Sequence, residues 1–426
     1  VLYSTQVEVQ GHKSSDKIEA TVEFIPPGMD LAILKLNDES FFETHPPLPR
    51  TNALSTVRDS VLVYGYPMGG DNISITKGIV SRIDFAGYNY GVAGLRVQID
   101  AALNPGNSGG PALVGSKVVG VAFSMLANSQ SIGYIIPCEE IDLFLADVSD
   151  GTYDGKYALL DELQTLENPA LRDFLELDAS HRGLVVNKPY DDDPAYPLHQ
   201  WDLISKIEDT SVDDQGNVLL NDSMKISFAY LIQKLAGNGT IGITIVRKGE
   251  EIPIELPVVR NRPRLLPHLL GTYPSYFIVG PVVFSVASED LVDLVMSGRS
   301  MMGNALAVTG SPLITRRNDK PAFEGEELVI VPSPLFAHSI AKGYGHPTMN
   351  VVQKVNGISI KNLRHLVEII RDSSDEYITI EFAGQPTETL VFHRDEMIQA
   401  TEEILDESGI RRLASPDILT IWNRGN

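Results

Sequence analysis

At 426 residues the chain is too long to enclose one hydrophobic core, and its length predicts roughly two to four domains. Lys+Arg total 34 against 56 Asp+Glu, a net charge of −22 that repels phosphate backbones and anionic headgroups and argues against nucleic acid or a membrane surface as main partners. Apolar residues make up 43%, which suits a globular chain, and no run approaches the ~18–20 apolar residues of a bilayer span; the stretch 278–284 is broken by Gly280 and Pro281.

Residues 1 to about 147 read as short strands with turn punctuation. Runs at 5–9, 20–24, 31–36, 60–64, 95–99 and 118–123 are β-branched or apolar, and Gly, Pro, Asn or Asp flank most of them. Many short strands with little helix between them predict an all-β barrel or sandwich. The chain opens on Val1-Leu2-Tyr3 with no targeting signal, and a start on Val is expected of a fragment. A short helix at 139–145 closes the region, followed by a polar linker at 149–155. The single cysteine, Cys138, excludes an internal disulfide and is expected as a buried small residue.

From about 156 to 262 the pattern turns to mixed α/β. A helical period runs over 169–175, with strands at 183–186, 202–207, 241–246 and 252–256 and a helix at 227–235. The Pro-rich, basic stretch 260–267 reads as a linker. Residues 268–395 partly repeat that order: a strand into Asn356-Gly357, a helix with an apolar face at Leu363, Leu366, Val367 and Ile370, then a strand at 377–382. From 396 a tail with a short acidic helix is expected.

The chemistry is concentrated in Gly106-Asn107-Ser108-Gly109-Gly110-Pro111, a hexapeptide expected by chance in a chain this long with probability about 10⁻⁵. A serine nucleophile must project from a tight turn whose amides converge where the oxyanion will form. Glycines before and after it permit the necessary backbone angles. A Gly-rich hairpin turn with an incidental serine is the competing reading of the hexapeptide alone.

With Gln98-Ile99-Asp100-Ala101-Ala102 ahead of it, the segment from Asn104 to Pro111 resembles the nucleophile loop of HtrA/Deg serine proteases. Asp30-Leu31-Ala32-Ile33-Leu34 resembles that family's catalytic-aspartate strand. Gly65-Tyr66-Pro67-Met68-Gly69, Thr76-Lys77-Gly78-Ile79-Val80-Ser81 and Ile132-Gly133-Tyr134-Ile135-Ile136-Pro137 come in family order. The stretches 163–172 and 274–279 are similar to the plant-type Deg branch, which carries a PDZ domain and a second, diverged PDZ-like domain. The resemblance therefore implies a multidomain chain: an all-β, trypsin-like double-barrel protease domain over 1–150, lacking its first strands, then two α+β PDZ-like domains at 151–262 and 263–395, and a tail at 396–426.

Residue by residue, the resemblance makes Ser108 the nucleophile and Asp30 the residue that orients a general-base histidine. The amides of Gly106 and Ser108, with Asn107 between them, would form the oxyanion hole. Phe123, Ser124 and Met125 would bind substrate and line an apolar pocket for small or medium aliphatic side chains. Arg182, Gly183 and Leu184 stand where a PDZ carboxylate loop is expected, although Arg182 replaces the usual apolar residue. The catalytic histidine is expected about two residues before Val1, which would leave the chain as given inert; His12 and His45 read as surface residues. The activity implied by the resemblance is that of an ATP-independent endopeptidase acting on unfolded or damaged proteins, the alternative being a non-catalytic chaperone or PDZ scaffold. The family implies trimers or multiples of trimers, and a cell-envelope or organellar setting. No cofactor and no metal are expected.

Overall fold

The computed structural model describes residues 4, 6–11, 16–26, 29–66, 72–87, 93–125, 132–221, 224–260, 263–269, 272–296, 301–345, 347–384 and 388–425, without the side chains of Ser124, Met125 and Gly425. Val1, Leu2, Tyr3 and His12, and the Pro67-Met68-Gly69 part of one motif, lie outside these residues. Residues 1–262 form one compact unit and 263–426 a second.

The first unit opens with a three-stranded antiparallel sheet of β1 (Val7–Gln10), β2 (Lys17–Phe24) and β3 (Ile33–Leu36), followed by the one-turn helix α1 (Phe41–Thr44). A closed barrel comes next, built from β4 (Ser60–Gly65), β5 (Ser74–Gly87), β6 (Ala93–Ile99), β7 (Pro111–Val114), β8 (Lys117–Met125) and β9 (Gly133–Pro137), in the order β4-β5-β6-β9-β8-β7. Alternate residues Val61 and Val63 on β4 and Leu95, Val97 and Ile99 on β6 fill its interior, as the two-residue strand period requires. Only short apolar stretches had pointed to strands, and β5 carries none. Its Ile75 and Ile79 face outward, 53% and 40% exposed, while its Val80 and Ile83 are buried, so its apolar residues fall on both faces and leave no two-residue period to read. Helix α2 (Cys138–Asp147) closes the barrel, with Cys138 buried and its thiol donating to Val118 O at 3.2 Å.

Residues 151–262 build a sheet in the order β10-β11-β12-β16-β17 from β10 (Glu162–Thr165), β11 (Leu184–Lys188), β12 (Leu203–Ile207), β16 (Thr240–Arg247) and β17 (Glu250–Pro257). Strand β13 (Thr210–Ser211) pairs antiparallel with the end of β12, β14 (Asn217–Asn221) and β15 (Met224–Ser227) form a hairpin, and α3 (Pro169–Phe174) and α4 (Ala229–Leu235) complete the region. The boundary expected at 150 is a joint in the chain but not in the packing. Barrel residues such as Val97 and Ala122 and residues of this sheet such as Val186 and Ile243 belong to one hydrophobic core.

The second unit has two small sheets. One is β18 (Tyr276–Val279), β19 (Val282–Val286) and β20 (Val329–Ile330); the other runs β22-β21-β23-β24 through β21 (Val352–Val355), β22 (Ile358–Ser359), β23 (Tyr377–Phe382) and β24 (Leu390–His393). Helices α5 (Glu289–Met296), α6 (Met301–Val308) and α7 (Pro312–Thr315) lie between β19 and β20 in the chain. Helix α8 (Leu363–Asp372) is capped by Asn362, whose side chain accepts from His365 N at 2.8 Å, and it buries the four apolar residues read from its sequence. The stretch from 396 onward is not a tail. Helix α9 (Arg394–Glu407) and helix α10 (Pro416–Trp422) place Met397, Ile404, Ile418 and Ile421 in or against the unit's interior, because an apolar stripe among acidic residues still needs burial.

Candidate functional site

Ser108 sits in the turn between β6 and β7, with its side chain exposed. Asn107 beside it is 2% exposed, so the turn is anchored by one residue and presents the next. Gly106 and Gly109 take φ of 103° and 85°, values that only glycine adopts without strain. Asn107 N donates to Asn104 O and Gly110 N to Asn107 O, both at 2.9 Å, while Gly109 N donates to Ala122 O at 2.7 Å. Gly106 O accepts from Tyr66 N at 3.2 Å, so that carbonyl is committed to the residue following β4. The amides of Gly106 and Ser108 donate to no backbone carbonyl among the described residues. Two uncommitted donors, with a single residue between them, flank the exposed hydroxyl.

The glycines of the neighbouring motifs explain themselves here. A Cβ on Gly110 would overlap Tyr64 O, and one on Gly65 would lie 2.6 Å from Asn107 Oδ1. A Cβ on Gly78 would overlap Ala101 N and Asp100 Oδ1, and Asp100 Oδ1 in turn accepts from Ile79 N at 2.5 Å. The strands before the serine thus lack side chains where the serine turn presses on them. Gly65 and Gly78 stand in the sequence only as parts of motifs, and it is the close backbone approach in the fold that requires glycine there.

Asp30 lies in the loop from β2 to β3, at φ 50°, a left-handed angle that Asp tolerates better than most residues. Met29 before it is buried at 1% with Phe144 and Val148, which fixes the loop against helix α2. Desolvation raises the Asp30 carboxyl above the usual carboxylate range, while the residue as a whole remains solvent-exposed. Neither Asp30 nor Ser108 has a side-chain hydrogen-bond partner among the described residues. His45 is exposed and stacked on Phe41 at 4.1 Å, with Nδ1 2.9 Å from Thr44 Oγ1 and 3.1 Å from Phe41 O.

Phe123 is half-buried on β8, its ring 6.3 Å from that of Tyr134. The backbones of Ser124 and Met125 pair with Tyr134 and Gly133; their side chains lie outside the described set. The segment 182–184 does not have the form of an open carboxylate loop. Gly183 and Leu184 are buried, and the start of β11 is paired with β10 on one side and β12 on the other, which leaves no edge for a peptide. Gly183 N points to Asp214 Oδ1 at 3.4 Å, and Asp214 Oδ2 is held by Arg182 at 2.7 Å and Arg172 at 2.9 Å. An internal carboxylate already takes the charge that this segment offers.

A family model described as a trypsin-like peptidase domain matches residues 4–121, and one described as a PDZ domain matches residues 266–417. The chain is 37% identical to Protease Do-like 2, chloroplastic, of Arabidopsis thaliana, over 98% of this chain and 68% of that protein. It is 32% identical to Protease Do-like 4, mitochondrial, of the same organism, over 94% of this chain and 73% of that one. Among solved structures, HtrA-type protease AlgW with decapeptide is similar at 24% identity and a TM-score of 0.48, over 61% of this chain and 77% of that one. The two family-model matches fall on the trypsin-like barrel domain and on the second of the two PDZ-like regions expected from the sequence. Among the described residues no helix is long and apolar enough to cross a membrane.

Proposed function

Because this chain belongs to the Do-like, HtrA/Deg family of serine proteases, we propose that it is an endopeptidase working by acyl-enzyme chemistry at Ser108. Ser108 Oγ attacks the scissile carbonyl while a histidine general base, its tautomer set by Asp30, takes the hydroxyl proton. The tetrahedral oxyanion is held by the amides of Gly106 and Ser108. Collapse breaks the C–N bond, the amine leaves with the proton from the base, and water then hydrolyses the acyl-Ser108 ester. The reading is carried by one observation: an exposed serine whose own amide and that of the residue two before it are free of backbone partners among the described residues. Donors fixed in advance around a developing charge supply a large part of the rate in such reactions.

The substrates proposed are unfolded or damaged proteins, cleaved without ATP. A chain segment must be free of its own fold to lay its backbone against the barrel and bring a carbonyl to Ser108. Phe123, packed by Tyr134, supplies an apolar wall suited to small or medium aliphatic side chains. A homo-oligomer built on trimers is proposed for the working assembly.

Casein hydrolysis by the full-length protein, without added nucleotide and beside Ser108→Ala, is the test. Activity and fluorophosphonate labelling are expected for the parent. In the variant labelling vanishes and kcat/KM falls about 10⁴-fold or more. A full-length protein that neither cleaves casein nor takes the label overturns the reading and leaves a non-catalytic chaperone or scaffold.

A further inference from the structure

The dipeptide Asn-Gly occurs twice in the chain, at 238–239 and at 356–357. The fold puts both copies in the same kind of turn: Asn238 and Gly239 have φ of 51° and 81°, Asn356 and Gly357 of 47° and 74°. Positive φ at both central residues defines the two-residue turn that favours this dipeptide. The first turn joins α4 to β16, with Thr240 N donating to Gly237 O at 3.0 Å and Gly237 N to Thr240 O at 3.1 Å. The second joins β21 to β22, with Val355 opposite Ile358. Backbone and following residue are therefore matched, and the asparagine side chains differ in what surrounds them.

Asn356 is held at both ends. Its Oδ1 accepts from Thr379 N at 2.8 Å, and its Nδ2 donates to Asp375 Oδ2 at 2.8 Å and to Tyr377 O at 3.2 Å. Asn238 is exposed, and its side chain has no hydrogen-bond partner among the described residues. Gly239 N likewise donates to no acceptor among them, and a Cβ built on Gly239 would come no closer than 3.8 Å to any atom beyond its chain neighbours. An asparagine that is free to rotate can bring its Cγ against the amide nitrogen that follows it; one tied by donor and acceptor cannot do so without breaking those bonds.

We propose that Asn238 is a site of spontaneous covalent modification, passing to aspartate and isoaspartate, and that Asn356 is shielded from the same reaction. Gly239 N gives its proton to hydroxide and its electron pair to Cγ of Asn238. The Cγ–Nδ2 bond breaks, ammonia leaves, and a cyclic imide remains. Water then opens the imide. Cleavage at Cγ gives aspartate, and cleavage at the backbone carbonyl gives isoaspartate, whose chain runs through Cβ and Cγ. Either product adds a carboxylate, and isoaspartate also adds one atom to the backbone. That atom falls between fixed ends, because Gly237 and Thr240 are bonded to each other and Val258 N donates to Gly239 O at 2.9 Å. The modification therefore loosens the start of β16 where it meets the end of β17.

The full chain is aged in mildly alkaline buffer, folded in one arm and urea-unfolded in the other, then digested with trypsin. Cleavage after Lys234 and Arg247 isolates Asn238, and cleavage after Lys354 and Lys361 isolates Asn356. Conversion is read as a gain of about 1 Da and as methyl transfer by an isoaspartyl methyltransferase. In the folded arm Asn356 is expected to convert about tenfold more slowly than Asn238 or worse, since its hydrogen bonds must break first, and in the unfolded arm the difference collapses. Equal conversion of the two in the folded arm overturns the proposal, as does an intact Asn238 there once the unfolded arm has turned over. The converted chain, separated by ion exchange, is expected to show faster hydrogen exchange at the Val258 amide; unchanged exchange overturns the loosening of β16.

Discussion

Ser108 shows how much of the geometry of an exposed serine turn is made by residues that carry no chemistry. The exposed hydroxyl stands where it does because Asn107 is buried, Gly106 and Gly109 accept positive φ, and Gly65, Gly78 and Gly110 leave room for the turn to press on the barrel. Gly110→Ala puts a methyl group into Tyr64 O, so either the turn or β4 must move. The expected cost is about 1–3 kcal/mol in urea denaturation, with fluorophosphonate labelling of Ser108 lost beyond what stability explains. Gly87→Ala, where nothing lies within reach of the new methyl, is the control that should leave labelling intact. This turn was legible in the sequence because its constraint is local: φ and spacing are properties of six adjacent residues. The role of Gly65 and Gly78 was not, since it depends on which strand lies against which.

Helix α2 joins the barrel to the sheet after it through charge. Glu140 is 1% exposed; its Oε1 accepts from Leu95 N at 2.6 Å and its Oε2 is bonded to the buried ammonium of Lys156, which also lies 3.4 Å from Ala93 O. Glu139 on the same turn accepts from Tyr230 Oη of helix α4 at 2.8 Å, and Gln233 Nε2 reaches Ala93 O at 2.8 Å. Burial pushes the Lys156 ammonium pKa down, with the Glu140 carboxylate opposing that shift. Glu140→Gln keeps an acceptor for Leu95 but strands the Lys156 charge, for an expected loss of about 3–5 kcal/mol at neutral pH; Glu140→Gln with Lys156→Met recovers most of it. The sign with pH comes from protons bound. A lysine whose folded pKa is lowered holds fewer protons folded than unfolded, so stability rises as pH climbs through its folded pKa toward 10.5. Denaturation of Glu140→Gln between pH 7 and about 10 should show that recovery, and a flat profile would count against a stranded charge. Amphipathic α8 was readable from its period, whereas this ion pair joins residues whose closeness no period encodes.

At the scale of the whole molecule, a charge of −22 works against compactness, and mobile ions relieve it. Raising NaCl from about 10 to about 200 mM shortens the screening length from roughly 30 to roughly 7 Å. The expected gain is on the order of 1 kcal/mol, seen as a rise in Tm of about 2–4 °C for units of this size. A fall in Tm would instead mean that surface ion pairs, such as Arg260 with Asp147 at 2.6 Å, outweigh the general repulsion. Two compact units account for the chain, against the three domains and a tail expected from the element pattern and the family resemblance. Composition marks where a linker can lie; it does not say whether the pieces on either side share a core, as the barrel and the region after it do.

By itself the amino-acid order determined what depends on neighbours in the chain: the glycine-framed serine turn, the alternating strands of the barrel and the stripe of α8. Tertiary structure alone decided what depends on distant partners meeting. It put β11 between two strands and so removed its edge, gave Asp214 to Arg172 and Arg182, and laid residues 413–415 along β18. The physical reason is range. Backbone angles and side-chain period act over a few residues, whereas burial, pairing and desolvation are fixed only when the folded chain brings remote surfaces together.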